Sequence, residues 1–482
     1  MQTRLLVIGG GPGGYQAAIR AAHMGAQVTL VESAGIGGTC LHRGCIPTKA
    51  LLASASALIG ARRAGEFGLR LEGRIVPDLP AIMARKERIV EVQAQGIEKL
   101  LKASHVTLLR GRARLLGPSL AEVALNGGGS ARVECDRLIL ATGSRPAGLP
   151  GLARDGRCIL NSDDALALGE IPQSLAIVGG GVVGCELACV YAALGSQVTI
   201  VEALDRLLPL PSLDAECSKL LLREMKKAKI ATHTARVVGE VAEDDDGLAL
   251  TLTPSPLVKG AEGGSQAAPL TLKVEKVMVA VGRALNVDGL GLTEAGIALN
   301  RRGGVKVDAG LAAAPGVWAV GDMLGGGRPM LAHMAGTEGI AAAETALGAD
   351  GEVDYTVVPA AAFTFPEVAW VGLTLEQALE RGADAQAEVF PVRLLGKSQA
   401  IGEIAGQCKL VSEKGTGRLL GAHLIGPHAA DLVHECALAI KLGATLTDIA
   451  RTIHAHPTLS EGVKEAAEAA LGLSVHLPQA GR

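Results

Sequence analysis

The stretch Gly9-Gly10-Gly11-Pro12-Gly13-Gly14 follows the apolar run Leu5-Leu-Val-Ile8 and precedes a helix-forming stretch from Tyr15 to Met24. A G-x-G-x-x-G sequence alone is a weak signal, but a preceding strand, a following helix and an acid ending the next strand make it a dinucleotide-binding loop. Glu32 is that acid. The first glycine permits the tight turn, the second lets the backbone approach a pyrophosphate, and the third lets the helix pack on the strand. The helix N-terminus would face the phosphates, and Glu32 would accept hydrogen bonds from a ribose.

A second copy of this unit begins at Gly179-Gly180-Gly181-Val182-Val183-Gly184, 170 residues later. In both copies the glycine that ends the helix lies 16 residues, and the acid 23 residues, after the first glycine. This internal repeat predicts two dinucleotide-binding domains and two bound dinucleotides. The second acid, Glu202, favours NAD over NADP because a carboxylate there pairs with the ribose 2′-hydroxyl and repels a 2′-phosphate. Arg206 is the only basic residue close to it in sequence and is expected on the surface.

Short buried strands ending in glycine or aspartate close the predicted domains. The strand from Arg137 runs into Thr142-Gly143, and a later strand runs into Gly282 in the same way. Another strand ends at Asp322, which could bind a ribose or ribityl hydroxyl or could equally be a helix cap. From about residue 350 the pattern changes to strands, including one from Ala362 to Val371, followed by helices without a phosphate loop. The sequence predicts an α/β protein with two Rossmann-like dinucleotide-binding domains and a C-terminal α+β domain.

At 482 residues the chain is long enough for about three or four domains. We expect a first dinucleotide-binding domain at 1–150, completed by a central domain at 277–350, a second one at 151–276 and the C-terminal domain at 351–482. The formal net charge of −3 provides no basic field for nucleic acid or a membrane surface. Met1–Thr3 leads directly into the first strand, leaving no room for a targeting peptide, so we expect a cytoplasmic protein without a membrane span.

Two cysteines, Cys40 and Cys45, stand five apart in Gly37-Gly-Thr-Cys-Leu-His-Arg-Gly-Cys-Ile-Pro-Thr-Lys49, and helices are predicted beyond it from Ala50 to Gly60 and from Leu79 to Lys102. A helical turn brings side chains at i and i+5 onto neighbouring faces, so the two sulfurs could close a disulfide. Two unrelated buried thiols or half of a zinc site are the alternatives, but zinc needs four ligands and no second pair stands nearby. A lasting disulfide in a reducing compartment is usually catalytic. We interpret the pair as a redox disulfide and expect no metal site.

Two nucleotide units and a dithiol in one chain indicate two-electron transfer between them. Hydride cannot pass simply to a disulfide sulfur, so a flavin is the expected intermediary, with FAD in the first unit and NAD in the second. Thiol chemistry also needs a base, and His456, oriented by Glu461, could serve. A capping or buried histidine is the alternative, and from the residues alone His454 is as good a candidate as His456.

These features resemble the pyridine nucleotide-disulfide oxidoreductase family over essentially the whole chain, and within it the dihydrolipoamide dehydrogenases. Besides both G-x-G-x-x-G units, the matching segments are Gly37–Lys49 with both cysteines, Ala141-Thr-Gly143, Val320-Gly-Asp322, Met330-Leu-Ala-His333, Pro366-Glu-Val-Ala-Trp-Val-Gly372 and His454-Ala-His456-Pro-Thr-Leu-Ser-Glu461. The motifs are long and occur in the same order, so the resemblance is specific.

The resemblance implies a role for each residue of the redox centre. Cys40 would be the interchange thiol that reacts with the substrate disulfide, and Cys45 would be the thiolate that contacts the flavin. Lys49 would lie near the flavin and pair with Glu186 beside the nicotinamide. His42-Arg43 stands where the family commonly has Asn-Val, and the extra positive charge predicts a lowered thiol pKa.

The resemblance also implies a homodimer. His456, paired with Glu461, would deprotonate Cys40 and would come from the second subunit, so residues 351–482 would form a dimerisation domain that completes the active site. The residues expected to bind one or the other cofactor are Gly9, Gly11, Gly14, Glu32, Lys49, Thr142, Gly143, Asp322, Ala332, Gly179, Gly181, Gly184, Glu186, Glu202 and Gly282.

The implied activity is NAD-dependent oxidation of dihydrolipoyl groups, such as dihydrolipoamide, to lipoyl disulfide. The protein would serve a 2-oxo acid dehydrogenase or related complex and dock on its lipoyl-bearing acyltransferase. Within the family, a glutathione reductase would need an arginine-bearing NADP site, a mercuric reductase carries a C-terminal cysteine pair, and transhydrogenase relatives lack the dithiol. A noncatalytic flavin-binding scaffold would need neither the cysteines nor the histidine and glutamate. The sequence does not specify the complex or the docking surface.

Overall fold

The computed structural model describes residues 2–244, 247–258 and 268–478. The chain divides into two compact units, each assembled from separate segments. The first comprises the chain up to Leu51, Asp78–Ala147 and Gly282–Val353. The second comprises Leu52–Pro77, Gly148–Val281 and the chain from Asp354 onward.

The first unit is built on a sheet whose central strands are parallel. Arg4–Ile8 lies in the middle and pairs with Gln27–Glu32 on one side and Arg137–Leu140 on the other. Four of its five residues are buried, which is typical of a parallel strand covered on both faces. The described strands of this sheet follow one another in the order Ala312–Ala314, Val317–Ala319, Arg137–Leu140, Arg4–Ile8, Gln27–Glu32, Thr107–Gly117, Leu120–Leu125 and Ser130–Glu134.

The helices of the first unit include one close pair. Pro12–His23 packs on Ala332–Ala346 so closely that a Cβ atom on Gly339 would overlap the carbonyl oxygen of Gly13. The long helix Leu79–Ala103 lies within one residue of its predicted bounds. The remaining elements are Gly38–Arg43, Cys45–Arg62, which continues into the second unit, the 3₁₀ helix Gly321–Leu324 and the ribbon of Ser144–Pro146 with Arg283–Leu285.

The second unit repeats the parallel arrangement. Its described parallel strands follow one another in the order Ala231–His233, Gln197–Val201, Ser174–Val178, Lys276–Val279 and Ile159–Asn161. Val178 pairs with Val201 just as Ile8 pairs with Val31, so both glycine loops begin at the carboxyl end of a central strand. The predicted internal repeat is therefore confirmed. This part also contains the helices Ser162–Ala165, Val182–Leu194 and Ala215–Lys227 and the antiparallel strands Arg236–Asp244, Gly247–Pro254 and Leu270–Val274.

The C-terminal part of the second unit is α+β, as predicted. Its antiparallel sheet has the order Ala360–Ala362, Glu367–Gly372, Leu419–Gly426, Gln407–Glu413 and Ala385–Pro391. The prediction of one strand from Ala362 to Val371 is wrong, because Pro366 has no amide hydrogen to donate to a sheet. The second unit also has the helices Leu375–Glu380, Gly396–Ile401, Ala429–Lys441, Leu446–Arg451 and Glu461–Ala470 and the 3₁₀ helices Ala64–Phe67 and Val392–Leu394.

One helical run among the described residues is long and apolar enough to cross a membrane by length and composition alone. It is Gly38–Arg62, in which an 18-residue stretch has a mean hydropathy of 1.3 and is 39% buried. Gly44 divides this run into two helices, and Arg43 and Lys49 lie within it. The core helix of a globular protein meets the same criteria, so the signal is weak.

Candidate active site

The two glycine loops have the same backbone geometry. Gly9 and Gly179 have φ values of +106° and +112°, and a Cβ on either would overlap a carbonyl oxygen of the neighbouring strand end. Only glycine meets both conditions, because an L side chain disfavours positive φ and there is no space for one. Among the described residues, no side chain caps the helix that follows either loop, Pro12–His23 or Val182–Leu194. Each helix therefore presents an open N-terminus, which suits a phosphate.

The two strand-end glutamates are held in the same way. Glu32 accepts hydrogen bonds from the amides of Gly10 at 2.7 Å and Ala34 at 2.6 Å, and its side chain is buried. Glu202 accepts from Gly180 at 2.6 Å and Leu204 at 2.8 Å. Each carboxylate is thus fixed beside its glycine loop and retains acceptor capacity for ribose hydroxyls.

Arg206 is not directed toward a phosphate. Its guanidinium donates to the carbonyl oxygens of Leu210 at 2.8 Å and Leu213 at 3.1 Å. The basic residue nearest to Glu202 in sequence is therefore engaged with the backbone.

The cysteine segment lies against the first glycine loop. The Gly37 amide donates to the Gly10 carbonyl oxygen at 2.8 Å, and a Cβ on Gly38 would lie 2.7 Å from the Gly11 Cα. Cys40 lies in the helix Gly38–Arg43, whereas Cys45 is the first residue of Cys45–Arg62. The second helix begins earlier than the predicted Ala50 because proline is compatible with the first turn of a helix. The dithiol is thereby placed beside the first dinucleotide loop.

The two sulfurs are close enough for Cys45 to influence the pKa of Cys40. Both cysteines are in the thiol form, and Cys40 is partly buried. The hydrogen bond with Cys45, followed by burial, holds the pKa of Cys40 well above its ordinary value, while the charge of Lys49 acts in the opposite direction. Cys45 begins an 18-residue helix, and a helix N-terminus favours a thiolate. The pair is thus asymmetric, because Cys45, unlike Cys40, lies at the N-terminus of a long helix.

His42 and Arg43, which lie between the cysteines, face different environments. The His42 Nε2 atom lies 2.8 Å from the Ile36 carbonyl oxygen, and Arg43 is exposed. The cation that acts on Cys40 is Lys49. The lowering of a thiol pKa by Arg43 stays a prediction.

Asp322 belongs to a polar network that the sequence did not reveal. Ser144 donates its hydroxyl to the Asp322 carboxylate, and the Arg283 guanidinium lies 3.6 Å from that carboxylate. Arg283 also donates to the Ser144 carbonyl oxygen at 2.8 Å, and Thr39 donates to the same oxygen at 3.4 Å. Ser144 and Arg283 each follow a strand-ending glycine, Gly143 and Gly282, and that position is the signal that could have identified them. The network joins Asp322 to the residue preceding Cys40.

The other predicted residues of the first unit lie at strand and helix ends. Thr142 donates its hydroxyl to the Asn286 carbonyl oxygen at 2.6 Å, and the Asn286 amide group returns a bond to the Thr142 carbonyl oxygen at 2.9 Å. Ala332 is the first residue of the helix Ala332–Ala346, where no side chain caps the first turn among the described residues. This helix supplies another open N-terminus in the unit that holds the dithiol.

In the second unit, Glu186 is buried on the helix after the second glycine loop. Its Oε1 atom accepts a hydrogen bond from the Phe363 amide at 2.9 Å. That bond fixes the carboxylate one turn into the helix. Its pairing with Lys49 stays a prediction.

The two C-terminal histidines have different partners. His456 Nδ1 lies 2.9 Å from Glu461 Oε1, and the other oxygen of Glu461 accepts from the Thr458 amide at 2.8 Å. Burial opposes ionisation of Glu461, but the Thr458 amide and His456 hold its pKa below the ordinary value. The His456 side chain is 75% exposed, whereas His454 is nearly buried and bonds to Glu435. The predicted dyad is thus present, and His456 is its exposed member.

The described residues contain no group of three or more histidine, cysteine, aspartate or glutamate side chains that could hold a metal ion.

Comparison with known families covers most of the chain. Residues 3–339 match the family described as pyridine nucleotide-disulphide oxidoreductase, and residues 358–467 match the dimerisation domain described under the same name. The first match contains both glycine loops and the dithiol, and the second contains the histidine–glutamate dyad.

Individual proteins are similar over the full length. Dihydrolipoyl dehydrogenase 1, mitochondrial, from Arabidopsis thaliana is 39% identical, with 99% of this chain and 92% of the relative covered. The dihydrolipoyl dehydrogenase of Geobacillus stearothermophilus is 38% identical, with 99% and 98% covered. Among solved structures, LpdA from Mycobacterium tuberculosis superimposes with a TM-score of 0.87 at 28% identity, covering 97% of this chain and 99% of that one. The flavoprotein disulfide reductase RclA from Escherichia coli gives 0.83 at 25% identity, with 97% and 99% covered.

Proposed function

Because this chain belongs to the pyridine nucleotide-disulphide oxidoreductase family, we propose that it oxidises dihydrolipoyl groups to lipoyl disulfides and passes the electrons to NAD. Relatives that carry the name dihydrolipoyl dehydrogenase at 38 to 39% identity over nearly the whole chain support this choice of substrate within the family. The Glu202 carboxylate beside the second glycine loop supports NAD as the acceptor.

The placement of an asymmetric dithiol beside the first dinucleotide loop carries the proposal. An enzyme that reduces its flavin with one sulfur and exchanges disulfides with the other needs two sulfurs of unequal acidity. The hydrogen bond with Cys45 raises the pKa of Cys40, and Cys45 begins a long helix whose N-terminus favours a thiolate; both observations support different roles for the two sulfurs. Cys40 is then the interchange thiol, and Cys45 is the thiolate directed at the flavin.

Disulfide exchange follows from these roles. In the oxidised enzyme Cys40 and Cys45 form a disulfide, and the His456 nitrogen that faces away from Glu461 takes the proton from a substrate thiol. The substrate thiolate attacks the Cys40 sulfur, the bond between the cysteines breaks, and its electron pair remains on Cys45 as a thiolate. The second substrate thiol then attacks the first substrate sulfur and gives its proton to the departing Cys40 sulfur. The lipoyl disulfide leaves, with Cys40 as a thiol, Cys45 as a thiolate and the first proton on His456.

The first unit fits FAD. An open helix N-terminus at Gly11, the buried carboxylate of Glu32 and the Asp322 network would hold the pyrophosphate, a ribose and a ribityl hydroxyl respectively. When bound, FAD supplies the two-electron relay between the dithiol and NAD. Residues 1–150 and 277–350 would form its domain, and residues 151–276 would bind NAD. The buried carboxylate of Glu186 would lie beside the nicotinamide and pair with Lys49.

The matched dimerisation domain supports a homodimer. Ile453 is 95% exposed and His456 has a 75% exposed side chain, as expected for residues that act on a second subunit. In the proposed dimer each His456 serves the dithiol of the other subunit. We further propose that the dimer works in the cytoplasm and docks on the lipoyl-bearing acyltransferase of a 2-oxo acid dehydrogenase complex.

The rate of NAD reduction by dihydrolipoamide tests the proposal. The purified flavoprotein should reduce NAD rapidly with dihydrolipoamide, and much more slowly with NADP as acceptor or reduced glutathione as donor. Cys45→Ser should abolish the reaction while keeping the flavin. A protein that binds FAD but turns over none of these pairs would refute the assigned substrate.

A further inference from the structure

The loop that carries His456 also carries a buried histidine outside the proposed mechanism. Residues 452–460 connect Leu446–Arg451 to Glu461–Ala470. Within this mainly exposed loop the His454 side chain is only 6% exposed. Its Nε2 lies 2.8 Å from Glu435 Oε1, and its Nδ1 lies 2.9 Å from the Thr452 carbonyl oxygen. The ring is therefore hydrogen-bonded both to the helix Ala429–Lys441 and to its own loop.

Both nitrogens of the His454 ring face hydrogen-bond acceptors. Both a carboxylate oxygen and a carbonyl oxygen are acceptors, so His454 donates both hydrogen bonds only when both of its nitrogens are protonated. The bond to Glu435 is then charge-assisted, which is stronger than a neutral bond. This pair ties the loop to the helix Ala429–Lys441.

The surroundings of Glu435 contain two buried thiols. Burial raises the pKa of Cys408 and of Cys436, and the nearby Glu435 charge raises both further. Both thiols therefore remain protonated, and the polar partner of the Glu435 carboxylate is the His454 ring. The His454 ring is thus nearly buried, whereas the Glu435 side chain is 34% exposed.

We infer that His454 is a positioning residue whose hydrogen bonds to Glu435 and to the Thr452 carbonyl oxygen fix the loop so that His456 meets Glu461. The inference rests on the proposed function, in which His456 is the base. Only one residue separates the two histidines, so a displacement of the first ring moves the second. A shift of about 1 Å at a catalytic base lowers turnover by as much as about a hundredfold.

The experiment compares full-length, FAD-loaded variants in two reactions. His454→Asn and Glu435→Ala should each lower kcat for dihydrolipoamide oxidation about tenfold or more, with little change in KM. Glu435→Gln should recover much of the rate, because the glutamine can still hydrogen-bond to the ring. NADH oxidation by a quinone needs the flavin and nucleotide but no thiol exchange, and it should be unchanged in all three.

A matched control lies in the same domain. His476 Nδ1 bonds to Glu465 at 2.8 Å, one turn beyond Glu461, so His476→Asn removes a histidine–carboxylate pair without touching the loop and should leave both reactions unchanged. Normal dihydrolipoamide turnover in His454→Asn and Glu435→Ala, or an equal loss of the quinone reaction, would overturn the inference. His456→Gln separates the two claims: if it is inactive while His454→Asn is normal, only the positioning role fails. If His456→Gln is fully active, the assignment of the base fails instead. Should His454→Asn not fold, the two Glu435 variants decide.

Discussion

Replacing Glu461 by glutamine should impair the enzyme more than replacing it by alanine. One Glu461 oxygen accepts from the Thr458 amide at 2.8 Å and the other faces His456 Nδ1 at 2.9 Å. A glutamine must direct its carbonyl oxygen at the Thr458 amide, because that hydrogen needs an acceptor, and its NH₂ group then faces His456. Nδ1 becomes an acceptor and the ring proton moves to Nε2, the nitrogen that must take a proton from the substrate. Alanine leaves Nδ1 to water, and both tautomers stay accessible because the ring is 75% exposed.

The expected magnitudes follow from the bonds lost and gained. A hydrogen bond to a charged group contributes about 1.5–3 kcal/mol, and solvent exposure of His456 places this bond at the lower end. Glu461→Ala should therefore lower kcat/KM for dihydrolipoamide about tenfold. In Glu461→Gln the hydrogen bond from the glutamine NH₂ group to His456 Nδ1 must also be broken before Nε2 can take a proton, which costs about 1 kcal/mol more. The combined loss is about fiftyfold to a hundredfold.

Steady-state NAD reduction by dihydrolipoamide measures the effect, with NADH oxidation by a quinone as the internal control. Both variants should keep the quinone rate, because that reaction does not use His456. A glutamine variant as active as the alanine variant, or more active, would refute the tautomer argument, and a parallel loss of the quinone rate would point to a general structural defect.

Other outcomes follow from single contacts. Gly38→Ala should reduce flavin content and lower the melting temperature, because its Cβ would lie 2.7 Å from a backbone atom of the first glycine loop; the helical Gly60→Ala, with no atom within 4 Å, should be neutral or stabilising by up to about 1 kcal/mol. Glu202→Ala should weaken NAD binding about tenfold without creating useful NADP activity, as measured by the Michaelis constants for NAD and for NADP. The substitution removes a carboxylate that accepts hydrogen bonds from two backbone amides, and it adds no cation that could bind a 2′-phosphate. The bonds from Lys441 and then Thr356 lower the pKa of Asp354 from 3.8 to about 2, so its stabilising contribution is present above about pH 4 and disappears as the pH falls to about 2. Asp354→Asn should reduce the change in urea midpoint across that interval, and an unchanged midpoint profile would contradict this assignment.

The dinucleotide loops could be predicted because their chemistry is local. The turn, the helix start and the strand-end acid all lie within 23 residues of the first glycine, so spacing alone specifies which atoms meet. The structure confirms these elements and adds that Glu32 and Glu202 are each held by two backbone amides. The amide partners lie at the same positions relative to each glutamate, as the repeat predicts for two copies of one unit.

Contacts between distant segments could not be predicted in this way. Lys409 lies 2.7 Å from Asp214 in a nearly buried ion pair, although no motif links the two positions. Arg283 reaches Ser144 across 139 residues. In both cases the partner is chosen by how strands and helices pack, and residue type alone does not specify that choice.

The C-terminal loop contains both kinds of contact, one that the sequence predicts at His456 and one that it does not predict at His454. Glu461 lies five positions after His456, close enough for a short loop and helix start to bring the two together, and sequence reasoning identified the pair. Glu435 lies 19 positions before His454 on a separate helix, so nothing in the spacing indicates that contact. Yet both carboxylates act on one short loop, one on the proposed base and the other on the backbone that presents it. If the contact between His454 and Glu435 holds the loop as inferred, the geometry of the His456–Glu461 dyad, which the sequence predicts, depends on a contact that only the folded structure reveals.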